Sequence, residues 1–292
     1  FNCIYLNPIF AAESYHRYDT LDYYEIDPHM GTKEDLRTLV SRAHTLGIRV
    51  ILDGVFNHIS SNHFLFRDVL EKGSKSPYFS CFYHLPETPR LPAPGEMPSY
   101  TCFSYVPNMP KTNTADPWLR RYFCEVGTYW IREFSVDGWR LDVANELDDG
   151  FLRAFRTAVK EAKPDALIVG EVWENAAHYL NGDMLDSAMN YDFRRYCRRF
   201  FAEDSVNAEI FDVNISALLF RYRESALFAQ LNLLDSHDVS RFFSLCGEDT
   251  ARMELSIVLQ MTFPGMPCVF YGDEKGLAGI QEWEYRQAMA WD

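Results

Sequence analysis

Short apolar runs rich in strand-forming residues alternate along this chain with amphipathic, helix-like segments, and that alternation limits the fold more than any other feature. The runs fall at 4–7, 49–53, 138–142, 167–171, 185–190, 230–234 and 268–271. Helical periods lie between them, at 33–46, 117–134, 151–162 and 251–262, and the second opens on Pro117, where a first helical turn tolerates proline. Strands that alternate with helices build βα units and a parallel sheet, not an all-β or all-α fold. A (β/α)8 TIM barrel runs to roughly 250 residues as a single domain, so 292 residues fit it. Seven strands do not close eight, so the barrel is expected to be cropped, with strand 1 before Phe1 and the last helix after Asp292. Residues 59–115 break the rhythm, being dense in Pro, Ser and aromatics with little helical period. They read as a small inserted domain after barrel strand 3, between barrel parts 1–58 and 116–292. In a barrel, loops after strands form the functional rim, so this insertion is expected over the active site.

Charge and cysteine use narrow the partners. The net charge of −14, with no basic stripe against it, disfavours nucleic acid and anionic membrane surfaces and suits a neutral substrate. No apolar run reaches the roughly 18 residues of a membrane span. Seven scattered cysteines with no CxxC pair fit neither a disulfide framework nor a zinc site, which points to a reducing cytoplasm. The start has neither an initiator Met nor a basic leader and reads as the interior of a longer chain. Aromatics make up 15% of residues; most are expected in the core, although sugar sites also use aromatic faces.

Where apolar runs stop, acids follow: Asp53, Asp142, Glu171 and Asp238. One such residue is more often a helix cap or a loop anchor than a catalyst, and Asp53 is read that way. Asp142 and Glu171 are 29 residues apart, and Glu171 and Asp238 are 67 apart. These intervals are about one and two βα units, which lets all three face one rim. Arg140 and Asp142 sit two apart on a strand and share a side, so the guanidinium is expected to keep Asp142 ionised, as a nucleophile requires. Glu171, crowded by the other two acids, is expected to bind its proton more tightly and serve as the donor. Two carboxyls separated in this way are the equipment for glycosidic cleavage, with the third stabilising a cationic transition state.

Four segments then resemble, in order, the signature regions of the α-amylase family of glycoside hydrolases. They are Asp53-Gly54-Val55-Phe56-Asn57-His58, Gly138-Trp139-Arg140-Leu141-Asp142-Val143-Ala144-Asn145-Glu146, Glu171-Val172-Trp173 and Leu234-Asp235-Ser236-His237-Asp238. Residues 7–10, 16–24, 263–267 and 271–274 extend the resemblance over essentially the whole chain. It implies a retaining double displacement, with Asp142 as nucleophile, Glu171 as acid and then base, and Asp238 on the hydroxyls of the distorted sugar. It also implies that Tyr18 stacks under the glucose, that His58 and His237 bond its hydroxyls, and that Arg140 orients Asp142. Trp173, Lys111 and Glu146 join the substrate-binding set, although Trp173 alone would read as core and the other two as solvated loop charges. The remaining histidines, at 16, 29, 44, 63, 84 and 178, read as structural.

Met109-Pro110-Lys111-Thr112-Asn113, with Val143-Ala144-Asn145-Glu146, resembles the cyclomaltodextrinase, neopullulanase and maltogenic amylase cluster. Thr112 stands where that cluster usually has Leu, Glu174 where it often has His, and 279–283 departs from its Gly-rich stretch, which leaves linkage preference open. The resemblance implies α-1,4-glucosidic hydrolysis of cyclodextrins, pullulan and maltooligosaccharides. The alternatives are an α-1,6-glucosidase or other α-glucosidase, a transglycosylase, or a relative with the barrel but no catalysis, which would lack the carboxylates. Glu146 replaces the His that calcium-dependent amylases carry, so no metal or other cofactor is expected. The expected partner is an α-glucan or cyclodextrin, and kinship suggests a homodimer of the full-length protein through a domain outside this chain.

Overall fold

A computed structural model describes residues 1–291 as two compact units, Phe1–Glu171 with Asp183–Leu185, and Val172–Gly182 with Asp186–Asp292, the last residue lying outside the description. In the first unit the order is β1 (Cys3–Leu6), β2 (Phe10–Ala12), β3 (Thr20–Ile26), α1 (Lys33–Thr45), β4 (Arg49–Gly54), α2 (Phe64–Lys72), α3 (Pro117–Phe134), β5 (Gly138–Leu141), α4 (Asp149–Ala162) and β6 (Leu167–Gly170). Strands β1, β4, β5 and β6 pair in parallel in that order, with Tyr5 opposite Ile51, Asp53 opposite Arg140, and Arg140 opposite Val169. That register lines up the C-terminal ends of β4, β5 and β6, where Asp53, Asp142 and Glu171 stand.

Local sequence explains the boundaries. The Thr32 and Asp35 side chains cap α1 reciprocally. Asp116 caps α3 by accepting from the Trp118 and Leu119 amides, with Pro117 in the first turn. Gly138 has φ of 149°, and a Cβ there would lie 2.0 Å from the Leu167 carbonyl, so only glycine lets β5 approach β6. Behind the strands, Phe10, Tyr23, Phe56, Phe123, Trp130, Trp139, Phe151 and Phe155 form one buried aromatic core. Residues 59–115 hold α2, three single-turn 3-10 segments and isolated antiparallel bridges, among them His58 to Lys111 and Cys102 to Pro110.

The second unit contains β7 (Ser187–Asn190), α5 (Tyr191–Cys197), a five-residue π turn (Arg198–Ala202), α6 (Ala208–Arg221), α7 (Glu224–Phe228), β8 (Leu231–Leu233), α8 (Phe242–Leu245), α9 (Thr250–Thr262), β9 (Met266–Cys268) and α10 (Glu282–Tyr285). Strands β7, β8 and β9 are parallel. Their core is Phe193, Leu218, Leu234, Phe242, Met253 and Phe263. Seven parallel strands among the described residues, with helices between them, are the incomplete TIM-barrel arrangement expected from the alternation. The antiparallel pair β2–β3 was not expected as a separate element. The last strand lies two residues earlier than its apolar run, because Phe270 and Tyr271 already have their backbone groups bound by Asp273 and Arg241. No helix among the described residues is long and apolar enough to cross a membrane.

Candidate active site

In the first unit, Arg140 collects the strand-end acids. Its guanidinium is 1% exposed and donates through Nη1 to Asp142 Oδ1 at 2.8 Å and to both Asp53 oxygens at 2.9 and 3.0 Å. Nη2 lies 3.0 Å from Glu171 Oε2, close enough for an ion pair but out of line for a hydrogen bond. Burial alone would favour a neutral guanidine; the charges of Asp53 and Glu171 overcome it and hold Arg140 firmly protonated. Arg140 thus serves Glu171 and Asp53 as well as Asp142, where the spacing of residues pointed to Asp142 alone. Glu171 Oε2 also accepts from the Val143 amide at 2.9 Å. Val143 is held with φ 45° and ψ 46°, a left-handed conformation that a β-branched residue adopts only under constraint.

Asp53, read from sequence as structural, draws several donors together. It accepts from Tyr5 at 2.6 Å and from Tyr18 at 3.0 Å, besides Arg140. Burial pushes the hydroxyls of Tyr5 and Tyr18 well up, so both stay protonated donors. Tyr18 is thereby fixed among the acids by its hydroxyl. His58 stacks on Phe103 at 4.5 Å and 22°. Burial drives its imidazole down to about 3, so the ring is neutral; the Tyr18 backbone opposes this shift, and no described group meets Nε2 with hydrogen-bond geometry. Lys111 pairs with Glu146 and is backbone-bridged to His58, so the two loop charges satisfy each other. Thr112, the departure from the usual Leu, donates its hydroxyl to the Phe56 carbonyl at 2.5 Å.

The second unit carries Trp173, His237 and Asp238. Asp238 Oδ2 is 3.0 Å from His237 Nε2, and Oδ1 is 3.3 Å from Arg286 Nη2. Arg286 Nε donates to the His237 carbonyl at 2.7 Å, and the Asp238 amide donates to Ser236 Oγ at 3.2 Å. Trp173 lies flat on Tyr191, 3.9 Å between rings and 11° apart, and stays 46% exposed. An exposed indole face rigidly backed by a second ring is suited to an apolar sugar face. Among the described residues no group of three or more His, Cys, Asp or Glu is arranged for a metal ion.

Sequence reasoning did not find Tyr5, Phe103 or Val143. Tyr5 alternates with apolar neighbours in β1 and reads as core; Phe103 lies in a stretch without periodicity. Only the placement of Val143 next to Asp142 could have marked it.

With this geometry in place, the chain belongs to the α-amylase family: the α-amylase catalytic domain matches residues 1–291. It is 49% identical over 289 residues to a cyclomaltodextrinase of Geobacillus thermopakistaniensis, covering 99% of this chain and 49% of that protein. It is 45% identical over 289 residues to neopullulanase 2 of Thermoactinomyces vulgaris, again covering 99% of this chain and 49% of the relative. A solved cyclomaltodextrinase structure superposes with a TM-score of 0.96 at 43% identity, covering 100% of this chain and 50% of the other. The chain spans about half the length of these relatives.

Proposed function

We propose that this chain is the catalytic barrel of a retaining glycoside hydrolase that cleaves α-1,4-glucosidic bonds in cyclodextrins, pullulan and maltooligosaccharides. Asp142 attacks the anomeric carbon, while Glu171 protonates the departing oxygen and then activates water. Asp238 binds hydroxyls of the distorted ring. The observation that carries this reading is Asp142 and Glu171, buried on one Arg140 guanidinium at the ends of neighbouring parallel strands. The retaining outcome rests on the family resemblance, and the carboxyl separation is its geometric test: retaining enzymes place the two roughly 5–5.5 Å apart, whereas inverting ones need roughly 6.5–9.5 Å to admit a water.

The orphaned Nε2 of neutral His58 supports a bond to a sugar hydroxyl, and the backed face of Trp173 supports stacking on a glucose unit. Tyr18, Arg140, Lys111, Glu146 and His237 complete the binding set. Residues 59–115 contribute Lys111 and Phe103 beside His58, which supports their role as a wall of the site. Kinship supports a homodimer of the full-length protein, and seven free thiols support a cytoplasmic setting.

The test is hydrolysis of β-cyclodextrin, pullulan and soluble starch by the full-length protein, beside Asp142→Asn and Glu171→Gln. We expect cyclodextrin to be cleaved fastest, and each variant to lose several orders of magnitude in kcat while staying folded. Near-wild-type rates in either variant would sink the assignment; preference for starch would move the substrate reading towards ordinary amylases.

A further inference from the structure

Phe103, in the first unit, is a half-buried ring that stands apart from the aromatic core. Among the described residues the only ring it meets is the imidazole of His58, nearly parallel at 4.5 Å between centres and 22°. His58 is 1% exposed, and its Nδ1 lies 3.4 Å from Asn57 Nδ2. Torsion about the bond that carries an imidazole ring is broad, so nothing within the residue fixes the plane of the ring; its packing must. A flat ring laid against one face blocks that rotation, whereas a flexible aliphatic chain would yield to it.

Both residues sit on one small backbone frame. The bridges from His58 to Lys111 and from Cys102 to Pro110 put residues 57–59 and 101–103 on either side of 109–112. On one side the Thr112 amide donates to the Asn57 carbonyl at 3.0 Å and the Ile59 amide to the Pro110 carbonyl at 3.3 Å. On the other, the Lys111 amide donates to the Thr101 carbonyl at 3.0 Å and the Phe103 amide to the Met109 carbonyl at 2.9 Å. The spacing between His58 and Phe103 is therefore set by hydrogen-bonded backbone as well as by the two rings.

After Phe103 the chain closes a tight loop. The Val106 amide donates to the Phe103 carbonyl at 2.8 Å, the Met109 amide to the Val106 carbonyl at 3.0 Å, and the Tyr100 hydroxyl to the Pro107 carbonyl at 2.7 Å. Ser104 (φ 47°, ψ 34°) and Tyr105 (φ 62°) are left-handed in succession, which residues other than glycine keep only where their surroundings impose it. Filling a core requires neither a strained loop nor a ring directed at a single histidine. Delivering a ring to a fixed place beside that histidine accounts for both.

We propose that Phe103 is a positioning residue: its ring fixes the plane of the His58 imidazole, so that Nε2 is held ready for a hydroxyl of the bound sugar. This rests on the reading that His58 binds substrate. Nε2 meets no described group with hydrogen-bond geometry, so its bonding capacity is left for a ligand. The imidazole is neutral, burial having driven it down to about 3, so its orientation matters more than its charge.

The test is a double-mutant cycle on the full-length protein, reading kcat/KM on β-cyclodextrin and the unfolding midpoint for Phe103→Leu, His58→Ala and the double variant. Phe103→Tyr, which keeps the flat face, is the conservative control. We expect Phe103→Leu to lower kcat/KM on the order of 10- to 100-fold, the scale of a misplaced substrate-binding group, and Phe103→Tyr to stay close to wild type. In the His58→Ala background Phe103→Leu should cost nothing further, because the group it positions is gone. The same loss from Phe103→Leu in both backgrounds, or a tyrosine variant as impaired as the leucine one, would overturn the proposal. Should the leucine variant fail to fold, Phe103→Met, which fills similar space without a rigid face, takes its place in the cycle. Wild-type kcat/KM in His58→Ala would refute the reading of His58 itself and the proposal with it, an outcome distinct from equal losses beside an impaired His58→Ala.

Discussion

Replacing Arg140 by methionine tests the electrostatic core of the first unit directly. Methionine fills similar space but removes a cation that touches Asp53, Asp142 and Glu171 at 2.8 to 3.0 Å. At an effective dielectric near 20, a unit charge about 4 Å away contributes about 4 kcal/mol per partner before desolvation is counted. That desolvation offsets most of the sum in the intact protein, but the variant keeps the burial of the acids and loses the attraction. Orphaning a buried ion pair typically costs about 3–5 kcal/mol, a large share of the roughly 5–15 kcal/mol that holds a domain together. The acids of the variant must then take up protons as it folds, so its deficit should narrow as pH falls. Urea unfolding of both proteins near pH 7 and near pH 5, with kcat on β-cyclodextrin, is the assay. We expect the deficit at neutral pH, partial recovery in acid, and kcat reduced roughly 10²–10³-fold as the preorganised charge is lost. Arg140→Lys should fall between, since one ammonium cannot span three carboxylates. A deficit below about 1 kcal/mol, equal at both pH values, would refute the reasoning.

Other consequences are separately testable. Buried His63 is driven down to about 3, so its contribution to stability is present above its unfolded value near 6.5 and is lost as pH falls towards about 3. His63→Asn keeps a side-chain acceptor for the Leu65 amide at the start of α2, and should flatten the acid loss of stability by about 1.4 kcal/mol per pH unit; an unchanged slope in acid unfolding would contradict this. Val143→Gly releases a left-handed β-branched residue, and should gain about 1 kcal/mol in urea unfolding while lowering kcat, because the amide that meets Glu171 is held less firmly. A destabilised Val143→Gly would mean that the conformation carries no strain.

The parts of this chain that can be read from sequence are those where one residue's chemistry conflicts with its surroundings. Arg140 in an apolar strand, and acids where apolar runs stop, stand out because burial without a partner is costly. The parallel strands and the helices α1, α3, α4 and α9 were legible for a related reason, since period and capping are local: the expected span 117–134 is the observed α3, and Asp116 and Pro117 mark its start, whereas the 14-residue α6 lay outside the expected spans. What escaped depends on partners distant in sequence. Tyr5 and Asp53 are 48 residues apart, and His58 and Phe103 are brought together by a segment without periodicity. Asp235 shows why this matters for mechanism: beside His237 and Asp238 it reads as one more acid in a signature segment, whereas both of its oxygens accept from the Phe242 amide and so hold the start of α8.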